Sequence, residues 1–205
     1  LAWSRAPGGD AKKKSKRAAQ ARATFQEQPP QLPGEDLIFL DEFGINLTMT
    51  RTYARAPRGQ RAVVSEPFQR GPNFSGISAM GVDGLCAPFL IEGAINSEIF
   101  TRYVEQFLVP CLRPGQQVWV DNVKFHSAPT AVAAIAATGA CVCYLPTYSP
   151  DFNPMEHGIS TIKEHLRAAK ARTPRTLTTA LAQALDTVTT SDIHGWFTHC
   201  GYVFP

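Results

Sequence analysis

Hydrophobic and polar positions alternate along this chain in short blocks. Leu37-Ile38-Phe39-Leu40 is a continuous apolar run ending in Asp41, as a buried central strand does. Val118-Trp119-Val120 repeats that pattern and ends in Asp121. Phe74–Gly81 and Ala87–Glu92 read as two strands of a hairpin with its turn at Asp83-Gly84. Arg51–Ala56 reads as a short strand before the Pro57-Arg58-Gly59 turn, and Cys141–Leu145 as a further strand. Helical spacing follows Asn96 or Ser97, either of which caps a helix to about Leu108, with Ile99, Phe100, Tyr103, Val104 and Phe107 as its apolar stripe. Pro129–Thr138 is an Ala-rich helix stopped at Gly139, and further helices are expected over Pro154–Lys170, Thr178–Val188 and Ser191–Cys200. Strands first, then strand–helix alternation, then helices: this order predicts an α/β fold, a mixed sheet with helices packed on it.

Composition adds a boundary. The 205 residues are 44% hydrophobic and 18% charged, enough for one good-sized core and too apolar for wholesale disorder. Residues 1–28 are basic, Ala-rich and compatible with helix until Pro29-Pro30-Gln31-Leu32-Pro33-Gly34 breaks them. Residues 1–34 therefore read as a basic tail or linker and residues 35–205 as the folded domain. Seven basic residues stand against Asp10 and Glu27 in residues 1–30, so the net charge of +3 resides in the tail. Such a tail suits a polyanionic partner, and equally a short solvated leader. No apolar run approaches the ~18 residues of a membrane span, and residues 1–20 lack the apolar middle of a signal peptide. Five sparse cysteines point to reduced thiols in a cytosol. Cys141 and Cys143 share one strand face; the reading there is buried packing over metal binding, because no second Cys or His pair stands at zinc spacing.

The acids carry the candidate chemistry. Asp41 and Asp121 each end an apolar run, where sites of open α/β sheets form, although either alone also reads as a strand cap. A third acid changes the balance. The segment Leu145-Pro146-Thr147-Tyr148-Ser149-Pro150-Asp151-Phe152-Asn153-Pro154 rigidifies a loop that leads into a helix, with Asn153 as its cap. Glu156 then falls in the first turn, near the positive end of the helix dipole. Met155, Ile159, Ile162 and Leu166 fall on one side of that helix; Glu156, Ser160, Lys163 and Arg167 share the adjacent side. Three carboxylates from two strand ends and one helix start suit Mg²⁺, and two such ions would reverse the local charge so that a phosphodiester can approach. Arg51, Arg55, Arg58 and Arg61 form a basic loop after the first Asp, fit for phosphate contacts or for a solvated hairpin edge. No Gly-rich phosphate loop, Gly-x-Ser-x-Gly elbow or His pair at zinc spacing competes.

At these residues the chain resembles the catalytic half of the IS-six-thirty insertion-sequence transposases, a branch of the Tc/mariner superfamily. The resemblance rests on Leu40-Asp41-Glu42-Phe43-Gly44, Tyr53-Ala54-Arg55-Ala56-Pro57-Arg58-Gly59, Val120-Asp121-Asn122 with His126, and Tyr148-Ser149-Pro150-Asp151-Phe152-Asn153-Pro154-Met155-Glu156, in that order. It implies an RNase H-like mixed five-stranded sheet flanked by helices and a DDE triad of Asp41, Asp121 and Glu156 that binds two Mg²⁺ or Mn²⁺ ions. The 34 residues between Asp121 and Glu156 match the branch. The implied activity is cleavage of double-stranded DNA at element ends and strand transfer to target DNA; a catalytically silent DNA-binding or assembly remnant is the alternative. Arg51, Arg55, Arg58, Lys163 and Arg167 are the expected DNA contacts, with Asn122, His126 and Asn153 around the triad. The resemblance also implies a homodimer on DNA, a bacterial, nucleoid-associated location, and a helix-turn-helix half supplied separately, since residues 1–34 have no room for one. One departure is local: the family usually places an aromatic residue two or three positions after the Glu, and this chain has Gly158-Ile159.

Overall fold

The computed structural model describes residues 16–27, 33–51, 53–63 and 71–203. Five strands form one sheet: β1 (Leu37–Asn46), β2 (Asn73–Gly81), β3 (Gly84–Glu92), β4 (Gln117–Val120) and β5 (Cys141–Tyr144), in the order β3-β2-β1-β4-β5. β1 pairs antiparallel with β2 and parallel with β4, and β4 is parallel to β5. The helices are α1 (Lys16–Glu27), α2 (Ser97–Tyr103), α3 (Pro129–Ala137), α4 (Met155–Ala169), α5 (Pro174–Asp186) and α6 (Thr190–His199). This is the mixed sheet with flanking helices that the apolar pattern predicts.

Alternation along β1 separates two cores. Leu37, Phe39, Phe43 and Ile45 point to the side where Met155, Ile159, Ile162 and Leu166 of α4 meet α5 and α6. Ile38 and Leu40 point to the other side, among Phe100, Tyr103 and Val104, with Ala131 and Ile135 of α3. Every one of these side chains is at most 6% exposed, so β1 is buried on both faces in its first half.

Several elements differ from the sequence expectation for identifiable reasons. β1 does not end at Asp41. It runs on to Asn46 because β2 pairs with it from Phe39 to Asn46, whereas β4 stops at Phe39. Asp41 therefore sits mid-strand, just beyond its parallel neighbour. The expected strand at 51–56 does not form: its described residues are irregular and exposed, with no strand beside them. α2 widens into a π turn at Val104–Leu108, which buries Leu108 and leaves Phe107 38% exposed, against its place in the apolar stripe. α5 starts at Pro174, ahead of the expected Thr178, because Thr173 and Thr176 form a capping box. Cys141 is exposed and Cys143 half-buried, since β5 is an edge strand; the packing expected for this pair is not seen.

α1 lies against the domain. Phe25 stacks on Phe152 at 4.9 Å and meets Trp119 edge-on at 5.4 Å. Arg22 donates to both Asp151 oxygens, at 2.8 and 2.5 Å, and to the Tyr148 carbonyl at 3.2 Å. Among the described residues no helix is long and apolar enough to cross a membrane.

Candidate active site

Three separate elements deliver the acids to one cavity of about 410 Å³. Asp41 comes from the middle of β1, Asp121 from the residue after β4, and Glu156 from the first turn of α4. Asn122, Asn153 and residues 145–150 line the same cavity. Parallel pairing fixes the first two: Phe39 lies opposite Trp119, so both chains reach their Asp two residues later. The Pro-rich loop fixes the third. Its 3₁₀ turn at Pro150–Phe152 buries Phe152, and the Tyr202 hydroxyl donates to the Phe152 carbonyl at 2.6 Å.

Asn153 does more than cap α4. The helix begins at Met155, one residue later than expected, and the Met155 N–H donates to Asn153 Oδ1 at 3.0 Å. The Asn153 amide meanwhile donates to Asp41 Oδ2 at 2.8 Å. The Glu42 N–H donates to Asp41 Oδ1 at 2.8 Å. Both donors favour the ionised carboxylate. The surroundings oppose it: burial first, then the charges of Glu156, Glu42 and Asp121, push Asp41 up to about 8. Such a surplus of buried negative charge, offered by oxygen donors, fits a hard divalent cation.

On the far side of β1, period-two alternation points Glu42 away from α4. There it meets His126, which sits in the 3₁₀ turn Lys124–Ser127 and has a fully buried side chain. His126 Nε2 lies 2.6 Å from Glu42 Oε1, and Nδ1 lies 2.7 Å from Asp121 Oδ1 and 3.1 Å from the Asp121 carbonyl. Burial works against the imidazolium, but the hydrogen bonds to Asp121 and Glu42 outweigh it and raise His126 to about 10. Among the described residues, Glu42, Asp121 and His126 present ligand-type atoms within 4.8 Å of one another. Glu42 was not among the residues singled out in the sequence. Its signal was the period-two register of β1, which sets consecutive acids on opposite faces.

Of the expected cationic residues, Lys163 is the one that interacts with the acids of this centre, Glu156 and Asp41, among the described residues. Lys163 and Arg167 lie along α4 beside Gly44–Thr50 of the strand end and its turn. Burial lowers the Lys163 pKa against the pull of Glu156. Arg51 and Arg167 line a second cavity with Tyr53 and His165, while Arg55 and Arg58 lie exposed farther along the loop. Gly158 also has a packing reason. A Cβ there would come within 2.7 Å of Met80 Cε and 3.5 Å of Trp196, so the end of the Met80 side chain would have to shift to admit one.

The strand order and the acids drawn around its central strand define an RNase H-like α/β domain with an acidic centre. The family model described as DDE superfamily endonuclease matches residues 36–178, and the chain belongs to that family. The fold is similar to the mariner Mos1 paired end complex with Mg, at a TM-score of 0.72 and 15% identity over 98% of this chain and 64% of that one. It is similar to the Mos1 strand transfer complex at a TM-score of 0.66 and 17% identity, over 92% of this chain and 62% of that one. The catalytic domain of Mos1 mariner transposase matches at a TM-score of 0.60 and 13% identity, over 99% of this chain and all of that one. The chain thus spans under two thirds of the Mos1 chains in the two complexes. No curated protein matches it by sequence.

Proposed function

We propose that this chain is the catalytic domain of a Tc/mariner-type DNA transposase of the IS-six-thirty branch. Its reaction is the cutting of DNA at element ends and transfer of the cut strand to target DNA. One observation carries the reading: Asp41, Asp121 and Glu156, far apart in sequence, line one cavity, with Lys163 within electrostatic reach of Glu156 and Asp41. Membership of the DDE endonucleases supports the hydrolytic chemistry. Two of the similar structures are paired end complexes with Mg and with Mn, which supports a divalent metal.

In this reading Asp41, Asp121 and Glu156 hold two divalent ions, Mg²⁺ or Mn²⁺. When bound, such ions supply activation of water and stabilisation of the leaving oxygen at a phosphodiester. The chain's own part is placement. Asn153 orients the Asp41 carboxylate, and the rigid 145–153 loop delivers Glu156. Arg51, Arg55, Arg58, Lys163 and Arg167 hold the DNA backbone without reading its sequence. Double-stranded DNA is the partner. A homodimer on paired ends, a helix-turn-helix half supplied separately and a bacterial, nucleoid-associated location complete the proposal.

The test is metal-dependent cutting of DNA that carries the element's ends. Asp41→Asn, Asp121→Asn and Glu156→Gln are each expected to abolish cutting with the fold retained. Wild-type cutting by one of them removes that residue from the mechanism. Binding without cutting by the unaltered chain would establish the silent remnant instead. Cutting of RNA–DNA hybrids without preference for element ends would mark a general nuclease.

A further inference from the structure

A buried histidine lies between two of the acids at this centre, and the triad does not account for it. Four acids crowd around β1: Asp41, Glu42, Asp121 and Glu156. Only Asp41 and Glu42 are neighbours in sequence, and strand alternation sends them to opposite faces. Asp121, at the end of β4, is within reach of both sides. Its Oδ1 lies 2.7 Å from His126 Nδ1, while the residue itself also lines the cavity shared with Asp41 and Glu156.

His126 is completely enclosed. Its ring packs on Phe100 at 4.8 Å and on Phe125 at 4.6 Å between centroids, within one aromatic cluster. Nε2 lies 2.6 Å from Glu42 Oε1, and on the other side of the ring Nδ1 lies 3.1 Å from the Asp121 carbonyl and 2.7 Å from Asp121 Oδ1. The ring thus ties Asp121 to Glu42 through both of its nitrogens.

We infer that Glu42 and His126 form a positioning strut behind the sheet that fixes Asp121 with one carboxylate oxygen engaged and the other left for a metal ion. The strut also withdraws Glu42 from the ligand set. Without it, two adjacent acids and a loosely held Asp121 would offer a variable number of oxygens, and a cation would find no fixed coordination. Outer partners of metal ligands act in this way: they set orientation, and their loss weakens metal binding. The inference rests on the proposed metal-binding role of Asp121, and its test separates the two.

Mn²⁺ binding to the full chain, followed by the electron paramagnetic resonance of the free ion, reads the strut directly. His126→Gln retains an amide toward Asp121 but not the ring that also reaches Glu42, and is expected to weaken Mn²⁺ binding on the order of 10–100-fold. Glu42→Gln keeps an acceptor for His126 and is expected to produce a smaller loss. Asp121→Asn is the reference for removal of the ligand itself. Thermal melts establish that each variant is folded; where His126→Gln is not, Glu42→Gln carries the test. Unaltered Mn²⁺ affinity in a folded variant overturns the strut. Failure of the unaltered chain to bind Mn²⁺, with DNA present or absent, overturns the proposed site itself and the strut with it.

Discussion

Two irregular segments, one lining the acidic cavity and one beside a separate cavity along α4, are built in opposite ways. Residues 145–153 contain three prolines' worth of rigidity with their neighbour Pro154, and are fastened on every side. Arg22 grips Asp151 and the Tyr148 carbonyl, Tyr202 holds the Phe152 carbonyl, and Asn153 reaches Asp41. Even the left-handed backbone of Tyr148, at φ 61°, is held by that Arg22 contact at its carbonyl. Residues 53–63, by contrast, are exposed throughout, with Tyr53 at 87% and Val63 at 85%. A single turn hydrogen bond, Gln60 N–H to the Pro57 carbonyl at 2.9 Å, shapes their middle. Both segments are rich in turn formers. The difference lies in apolar anchors: Leu145 and Phe152 enter the core, while the other loop has arginines where anchors would be. One segment is completed by the protein, and the other presents its charge outward.

Removing the anchor is the severest test of that contrast. Phe152→Ala deletes a buried ring sandwiched against Phe25, and is expected to cost about 3–5 kcal/mol, with cutting lost alongside. Urea unfolding of the purified variant measures it. A loss below about 1 kcal/mol would mean that the loop keeps its shape without the core contact.

Pinning also forces acids together, and pH exposes that. The folded chain holds the Asp41 proton more tightly than the unfolded one, because burial and Glu156 raise its pKa from 3.8 to about 8. Stability is therefore full below about pH 4 and falls as pH rises through about 8, by on the order of a few kcal/mol. His126 adds the same sign at higher pH, since its folded pKa is also raised, to about 10. Melting temperature of the metal-free chain is expected to fall from pH 4 to 8, Asp41→Asn to flatten that window, and millimolar Mg²⁺ to restore stability at pH 8. A flat profile in the unaltered chain would show that the pinned acids do not repel.

The exposed loop responds to a different change. Under the proposed function, Arg51→Ala, Arg55→Ala and Arg58→Ala combined remove three phosphate contacts. The slope of log affinity against log salt is expected to shrink by about 2.7 for duplex DNA, with the melting temperature unchanged. An unchanged slope would return the loop to the solvated-edge reading.

The sequence showed one of these loops far better than the other. Pro146, Pro150 and Pro154 announced a rigid entry to a helix, and helical spacing separated Glu156 from Met155 and Ile159 correctly. Strand pairing was hidden. Nothing local to Asp41 reveals that β2 extends β1 five residues beyond it, because the partner lies thirty residues downstream. Glu42 escaped notice for a related reason: its partner His126 arrives from another element, and only the fold joins them. The strand expected at Arg51–Ala56 fails for the same reason: a strand needs a pairing edge, and no local sequence shows whether one is there.

The smallest change separates α1 from the loop it touches. Arg22 of α1 makes a bidentate contact to Asp151 and lies 4.8 Å over the Phe152 ring. The pair is partly exposed, with side chains 22% and 48% accessible, so its net worth is under about 1 kcal/mol. Arg22→Ala is accordingly expected to leave global stability nearly unchanged. Its effect should instead be local: the amides of 148–152 lose a clamp on one carbonyl and one carboxylate, and their hydrogen exchange speeds up while that of α4 does not. Asp151→Asn, which keeps an acceptor for Arg22, should fall between the two. If exchange in 148–152 is the same in Arg22→Ala as in the unaltered chain, the loop is held by Phe152, Asn153 and Tyr202 alone, and α1 rests on a surface that was already formed.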